Sequence, residues 1–315
     1  MCYNILIFIN PISNIYFLLS LLNTHKLKKI VLDNVELEYK IFQSFNKETE
    51  TGMNSIGNNI VLIHGGIIAD SNIPLVPFFD ILIKSYNILH YHRSGYGKSI
   101  NKKNEYTSIL KHVEDCKGLM DFLNIKRAHL IGHSIGGTIA LQLASTYPDY
   151  IKSLILLEPA ITGYNKVTNE QVIEEFQPIV QMYDKGQKNE AIDIFLKSAI
   201  GTNYKEIIAN ILPSNLFELA VADAKTFFHE EIPSMRSWTF TKIQTKDLVN
   251  TPVLHIRGIQ KARKISKERG ELLKYWLPQT VNTSISNAPH MLQITNTKEV
   301  IHLIKLFFQQ QINTL

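Results

Sequence analysis

Ser134 lies in Leu130-Ile131-Gly132-His133-Ser134-Ile135-Gly136-Gly137, the G-x-S-x-G pattern of a serine pinned at a sharp strand-to-helix corner. Such a corner takes strained backbone angles and crowds the neighbouring segments, so Gly132 and Gly136 must leave space where a side chain would collide. The hydroxyl then projects above a sheet, and nucleophilic catalysis is the chemistry it offers. The flanking residues agree with that corner. Arg127 to His133 is a short apolar run of strand length, and Ile135 to Tyr147 carries apolar residues at helical spacing until Pro148 stops it. A helix starting directly behind the serine aims free N–H groups and the positive end of its dipole at the place where a tetrahedral oxyanion would form.

The elements that must position this corner follow from the rest of the chain. Lys29 to Asp33 and Val35 to Phe42 read as a hairpin-like opening around Asp33-Asn34, and the polar stretch Asn46 to Asn59 reads as a loop. Buried-type runs follow at Ile60 to Ile63, Asn87 to Tyr91, His129 to Ile131, Leu154 to Leu157, Val253 to Ile256 and Val281 to Ile285. Helical patterns at Leu75 to Lys84, Ser108 to Leu123, Ile265 to Trp276 and Lys298 to Gln310 separate most of them. Strands alternating with helices predict an α/β fold, a mostly parallel sheet of about eight strands covered on both faces. The alternation breaks between Ile161 and Asp247, where helical segments are punctuated by Pro178, Gly186, Gly201 and Pro213. We expect a helical insertion there, lying over one edge of the sheet. The organisation expected is a hydrophobic N-terminal segment over residues 1–27, a core from 28–160 and 248–315, and a cap over 161–247.

Composition narrows the function. A chain of 315 residues with 45% hydrophobic residues can bury a large core. The net charge of +5 is mild and its lysines are scattered, so nucleic acid is not an expected partner. Cys2 and Cys116 form neither a disulfide framework nor a C-x-x-C pair, and Cys116 reads as a helix packing residue. No metal is expected from the spacings. Residues 1–25 carry no charge and approach the character of a membrane span, but no cation precedes the apolar part as in a signal peptide. Two readings stay open: membrane association through 1–25, or a hydrophobic extension that packs on a cytoplasmic domain or is not part of the functional chain.

Four motifs in order complete the pattern: Ile63-His64-Gly65-Gly66, His92-Arg93-Ser94-Gly95-Tyr96-Gly97-Lys98-Ser99, the serine corner, and Ala288-Pro289-His290. With them the chain resembles the α/β-hydrolase superfamily with a helical cap, from about Lys29 to Phe308. The second motif is similar to the family's Arg-Gly-x-Gly-x-Ser loop, with Ser94 in place of the first glycine. The resemblance implies that Ser134 is the nucleophile, that His290, after the last strand, is its base, and that the amides of Gly66 and Ile135 form the oxyanion hole. His64, His133 and His255 are expected to pack or to orient loops, and His90 and His92 to flank the second motif.

The acid departs from the family's pattern. An Asp is usual just after the strand corresponding to Val253 to Arg257, yet Gly258-Ile259-Gln260-Lys261-Ala262-Arg263-Lys264 has no carboxylate. Glu158, at the carboxyl end of the run Leu154 to Leu157, is the alternative, since some branches of the superfamily supply the acid from this strand. A charge at the end of a buried strand is costly without a partner, which favours a positioned role; orienting the cap's first turn or pairing with an arginine is the rival role. The activity implied is a cofactor-independent serine hydrolase, cleaving an ester, lactone or thioester of a small apolar substrate through an acyl-enzyme. Phe176, Met182, Tyr183, Phe195, Phe217, Phe227, Phe228 and Trp238 either line an apolar pocket or form the core of the cap. A C–C bond hydrolase and a non-catalytic ligand-binding protein on the same scaffold remain as alternatives. Dehalogenation is disfavoured because that chemistry uses an Asp nucleophile.

Overall fold

The computed structural model describes residues 27–42, 58–82, 86–103, 106–161, 166–209, 211–212, 214–259 and 264–312. The N-terminal segment and most of the expected loop over 46–59 lie outside them. Among the described residues nine strands form one sheet: β1 (Lys28–Leu32), β2 (Val35–Phe42), β3 (Asn58–Ile63), β4 (Tyr86–Tyr91), β5 (Ile100–Asn101), β6 (Ala128–His133), β7 (Ile151–Leu157), β8 (Val253–Ile259) and β9 (Val281–Ser286). Their order is β1-β2-β4-β3-β6-β7-β8-β9, with β5 paired to β2. β1, β2 and β5 are antiparallel to their neighbours, and the pairs from β4 through β9 are parallel. The strand beyond the eight expected is β5, whose two residues are too few to show any hydrophobic period. At the other end of the expected loop, Asn58 and Asn59 begin β3 instead of closing the loop, and Asn59 is buried against Asn87 of β4.

Successive side chains of a strand point to opposite faces, and both faces here are apolar. Val61, Ile63, Leu130, Leu154 and Leu156 pack on one side with α2 (Ile109–Phe122), α3 (Ile135–Thr146) and α9 (Lys264–Trp276). Ile60, Leu62, Ile131, Ile155 and Leu157 pack on the other with α1 (Val76–Leu82) and α10 (Thr297–Ile312). Cys116 is buried on α2, as expected, and burial pushes its thiol up to about 12. Between β7 and β8 the described residues form helices only: α4 (Lys166–Asp184), α5 (Lys188–Ala199), α6 (Tyr204–Ala209), α7 (Leu216–Thr226), a π-helical turn (Phe227–Glu231) and α8 (Ile232–Ser237), then a 3₁₀ segment (Lys242–Leu248). We call this helical segment the cap. Tyr183, Phe195, Phe227, Phe228 and Trp238 are buried in it, so most of its aromatic residues are core. No helix among the described residues is long and apolar enough to cross a membrane.

Candidate active site

Parallel strands deliver their carboxyl ends to one edge of the sheet, the usual place for a binding crevice in open α/β sheets. There β3 leads into His64-Gly65-Gly66, β6 into Ser134, β7 into Glu158 and β8 ends beside Gly258, while the loop after β9 carries His290. Residues far apart in sequence therefore meet through strand order alone.

Ser134 occupies the corner between β6 and α3 at φ 52 and ψ −123, a conformation that few residues with a Cβ adopt. The glycines around it do what their spacing implies. A Cβ on Gly132 would come within 2.4 Å of the Gly136 carbonyl oxygen, and one on Gly136 within 2.3 Å of the Ile63 carbonyl oxygen. Ser134 N–H donates to the Leu157 carbonyl at 3.0 Å, so the corner is tied to the end of the next strand. As first residue of α3, Ile135 has no intrahelical partner for its N–H.

His290 is brought to this corner through two contacts. The ring of His133, the residue before the serine, lies 4.8 Å centroid to centroid from that of His290, and His133 Nε2 donates to the His290 carbonyl at 3.0 Å. On its other side, His290 Nδ1–H points to Oε2 of Glu158 at 3.5 Å, the outer limit of a hydrogen bond. Glu158 is buried and held in place: its Oε1 accepts the Gly258 N–H at 2.7 Å, and its own N–H donates to the Ile256 carbonyl at 2.9 Å. Its φ of 44 turns the chain sharply off β7. Gly258 makes the close approach possible, since a Cβ there would meet the Ala288 carbonyl oxygen at 2.3 Å. The end of β8, where the family's usual Asp is missing, thus anchors a carboxylate from β7; residues 260–263 lie outside the described residues.

The loop after β3 is equally constrained. Ile67 is buried at φ 69, an unusual conformation for a β-branched residue. His64 Nδ1–H donates to the Gly65 carbonyl at 2.7 Å and Nε2 accepts the Arg93 N–H at 3.0 Å, which fixes its tautomer. Burial holds this ring well below the usual imidazole range, so it is neutral. The cap closes over the loop. A Cβ on Gly66 would come 2.2 Å from the Phe227 ring, which places that ring directly against the Gly66 backbone.

A buried ionic network behind this loop was not foreseen from the sequence. The Arg93 guanidinium pairs with Glu231 of the π-helical turn and donates from Nη2 to the Gly65 carbonyl at 2.9 Å. Tyr96 Oη donates to Glu231 Oε2 at 2.7 Å, and His112 Nε2 to Oε1 at 2.9 Å. Burial alone would raise the Glu231 carboxyl, but Arg93 and His112 hold it down at about 2. Asp223 of α7 accepts the Gly97 N–H at 3.0 Å, and burial pushes its carboxyl up to about 7. The sequence does carry a signal for Glu231: it sits in Phe227-Phe228-His229-Glu230-Glu231-Ile232, a carboxylate flanked by large apolar residues.

The geometry agrees with what known proteins show. A family model described as the alpha/beta hydrolase fold matches residues 58–217, just over half of the chain. The 2-hydroxy-6-oxo-6-phenylhexa-2,4-dienoate hydrolase of Comamonas testosteroni is 32% identical over 112 residues, covering 34% of this chain and 38% of that protein. The chain spans less than two fifths of the length of the curated relatives it matches. Among solved structures, a carboxylesterase of the ammonia-oxidizing thaumarchaeon Nitrososphaera gargenis superposes with a TM-score of 0.69 at 14% identity, covering 91% of this chain and all of that one. The enol-lactonase of Burkholderia xenovorans LB400 gives 0.66 at 18% identity, covering 90% of this chain and all of that one. From motif order, sheet topology and the match to the family model together, the chain belongs to the alpha/beta hydrolase family.

Proposed function

We propose that the chain is a serine hydrolase that cleaves an ester, lactone or thioester of a small apolar substrate through an acyl-enzyme. The observation that carries this reading is the buried Glu158 carboxylate, locked by the Gly258 N–H on one oxygen and turned toward His290 Nδ1 on the other. That arrangement supplies what a serine nucleophile needs: a base whose far nitrogen is fixed as N–H, leaving Nε2 to accept a proton. His290 takes the Ser134 proton as Oγ bonds to the substrate carbonyl carbon. The negative charge on the carbonyl oxygen is held by the N–H groups of Gly66 and Ile135, each such donor being worth about 10²- to 10³-fold in rate. The imidazolium then protonates the leaving group, and a water deprotonated by His290 releases the acid. Glu158 stays a carboxylate throughout and stabilises the imidazolium.

A fluorophosphonate probe, which phosphonylates activated serines, tests this directly. The wild type is labelled at Ser134, whereas Ser134→Ala and His290→Ala are not. Equal labelling of the His290→Ala variant rejects the mechanism. The similarity to the Comamonas hydrolase, whose name describes a dienoate substrate, favours a second reading in which the same groups cleave a C–C bond next to a ketone. Turnover of a vinylogous diketone with no turnover of p-nitrophenyl esters would select that reading over the first.

A further inference from the structure

Beyond the loop that follows β3, two histidines converge on one carboxylate. His90 and His92 are two residues apart at the end of β4, a spacing that puts both on one face of a strand. Asp70 comes from the loop after β3, the parallel neighbour of β4. Nε2 of His90 lies 3.0 Å and Nε2 of His92 2.9 Å from the same oxygen, Oδ1 of Asp70. Both rings are nearly fully buried, and the Asp70 side chain is 17% exposed, which opens one side of the cluster to solvent.

We propose that Asp70, His90 and His92 form a binding site for a divalent transition-metal ion, with Zn²⁺ the ion that best suits the donors. Two imidazoles and a carboxylate are a recurrent ligand set for Zn²⁺, completed by water at an open position. The dimensions fit. Bonds of about 2.0 Å in a tetrahedral site place ligand atoms about 3.3 Å apart, so each Nε2 needs to move only a few tenths of an ångström from Oδ1 of Asp70, and the three donor atoms already lie within 4.8 Å of one another. Both Nε2 atoms already contact one carboxylate oxygen, and an ion seated among the three donors would displace the protons that now bridge them to Asp70.

The surroundings supply what a metal-bound histidine requires. His92 Nδ1–H points to Oε2 of Glu38 at 3.3 Å, the carboxylate–histidine arrangement that orients a ligating ring and raises its basicity. Glu38 is itself fixed by the Lys98 N–H at 2.9 Å. Gly97, at φ 56, lies so close that a Cβ would come 2.4 Å from His92 Nδ1, so the backbone cradles the ring. His90 differs: among the described residues its Nδ1 has no hydrogen-bond partner, so no second bond fixes its tautomer. The opposing charge is Lys40, across the ladder from His90 and within electrostatic reach of Asp70. Because the cluster draws on β2, β4 and the loop after β3, no spacing along the chain announces it.

The test uses the full chain, stripped with a chelator and dialysed. Titration calorimetry with Zn²⁺ alone should give one equivalent of saturable binding, and Co²⁺ should give visible d–d bands from a protein site. Asp70→Asn, nearly isosteric, and His90→Gln should each abolish both signals while keeping the wild-type far-UV circular dichroism. Glu38→Gln should weaken Zn²⁺ by about 10- to 100-fold, as loss of a ring-orienting partner does. Lys40→Met should tighten it. Absence of saturable binding by the wild type overturns the proposal, and so does binding that Asp70→Asn leaves unchanged, which would place the ion on other histidines. Should His90→Gln fail to fold, Asp70→Asn and Lys40→Met decide alone. None of these outcomes depends on whether Ser134 is a nucleophile.

Discussion

At Glu158 one carboxylate has two tasks: it caps the end of β8 through the Gly258 N–H, and it faces the imidazole of His290. Glu158→Gln keeps the size of the side chain and can still accept the Gly258 N–H, but it cannot stabilise an imidazolium. We expect kcat for p-nitrophenyl esters to fall by about 10⁴-fold with little change in KM, measured by steady-state kinetics. Gly258→Ala is a sharper probe of geometry, because its methyl group meets the carbonyl two residues before His290. Displacing that loop by about 1 Å should cost about 10²-fold in kcat. Ser134 is legible in the sequence because its motif is local, and His290 because it follows the last apolar run. Glu158 can be found as a charge ending an apolar strand. The convergence of Asp70, His90 and His92 and the pairing of Glu231 with Arg93 cannot, since the partners lie 20 to 138 residues apart and only strand order and cap packing bring them together.

At the scale of elements, the π-helical turn governs how the cap meets the core. A π-turn widens the helix locally and is often found where a side chain must be re-aimed for function. Here it carries Phe227 onto Gly66 and Glu231 onto Arg93, both of which bear on the loop proposed to hold the oxyanion. Glu231→Gln leaves a buried guanidinium without its counter-charge, which costs about 3 to 5 kcal/mol when one partner of a buried pair is removed. The variant should unfold at lower urea and label more slowly with a fluorophosphonate. Phe227→Ala should shift preference toward bulkier acyl chains in a p-nitrophenyl ester series, since the ring closes the space beside Gly66. The helical nature of this segment is legible from its missing strands. The π-turn is not, because a single-residue change of helical period leaves no mark in apolar spacing.

For the whole molecule, the buried carboxylates make stability depend on pH in two opposite senses. Asp223, ordinarily near 3.8, is raised to about 7 in the fold. The native state therefore holds a proton that the unfolded chain has lost, and stability falls as pH rises from about 4 through 7. Glu231, ordinarily near 4.5, is lowered to about 2, so its contribution is present above 4.5 and is lost as pH falls through 2. Urea unfolding between pH 4.5 and 8 should show the first slope, and Asp223→Asn should flatten it. The alternation of strands and helices and the helical interruption follow from hydrophobic periodicity, which is why the fold class emerges from the sequence, whereas the order of the strands in the sheet does not. The two-residue β5 and the ionic contacts between cap and core do not, since they depend on tertiary proximity alone.

Ser134 sits at φ 52, where a side chain costs free energy that glycine would not. Ser134→Gly should therefore melt at a higher temperature than the native chain while losing all turnover. Selection for heat resistance alone would drift away from the hydroxyl, so the gain in melting temperature would measure what the proposed chemistry costs in durability.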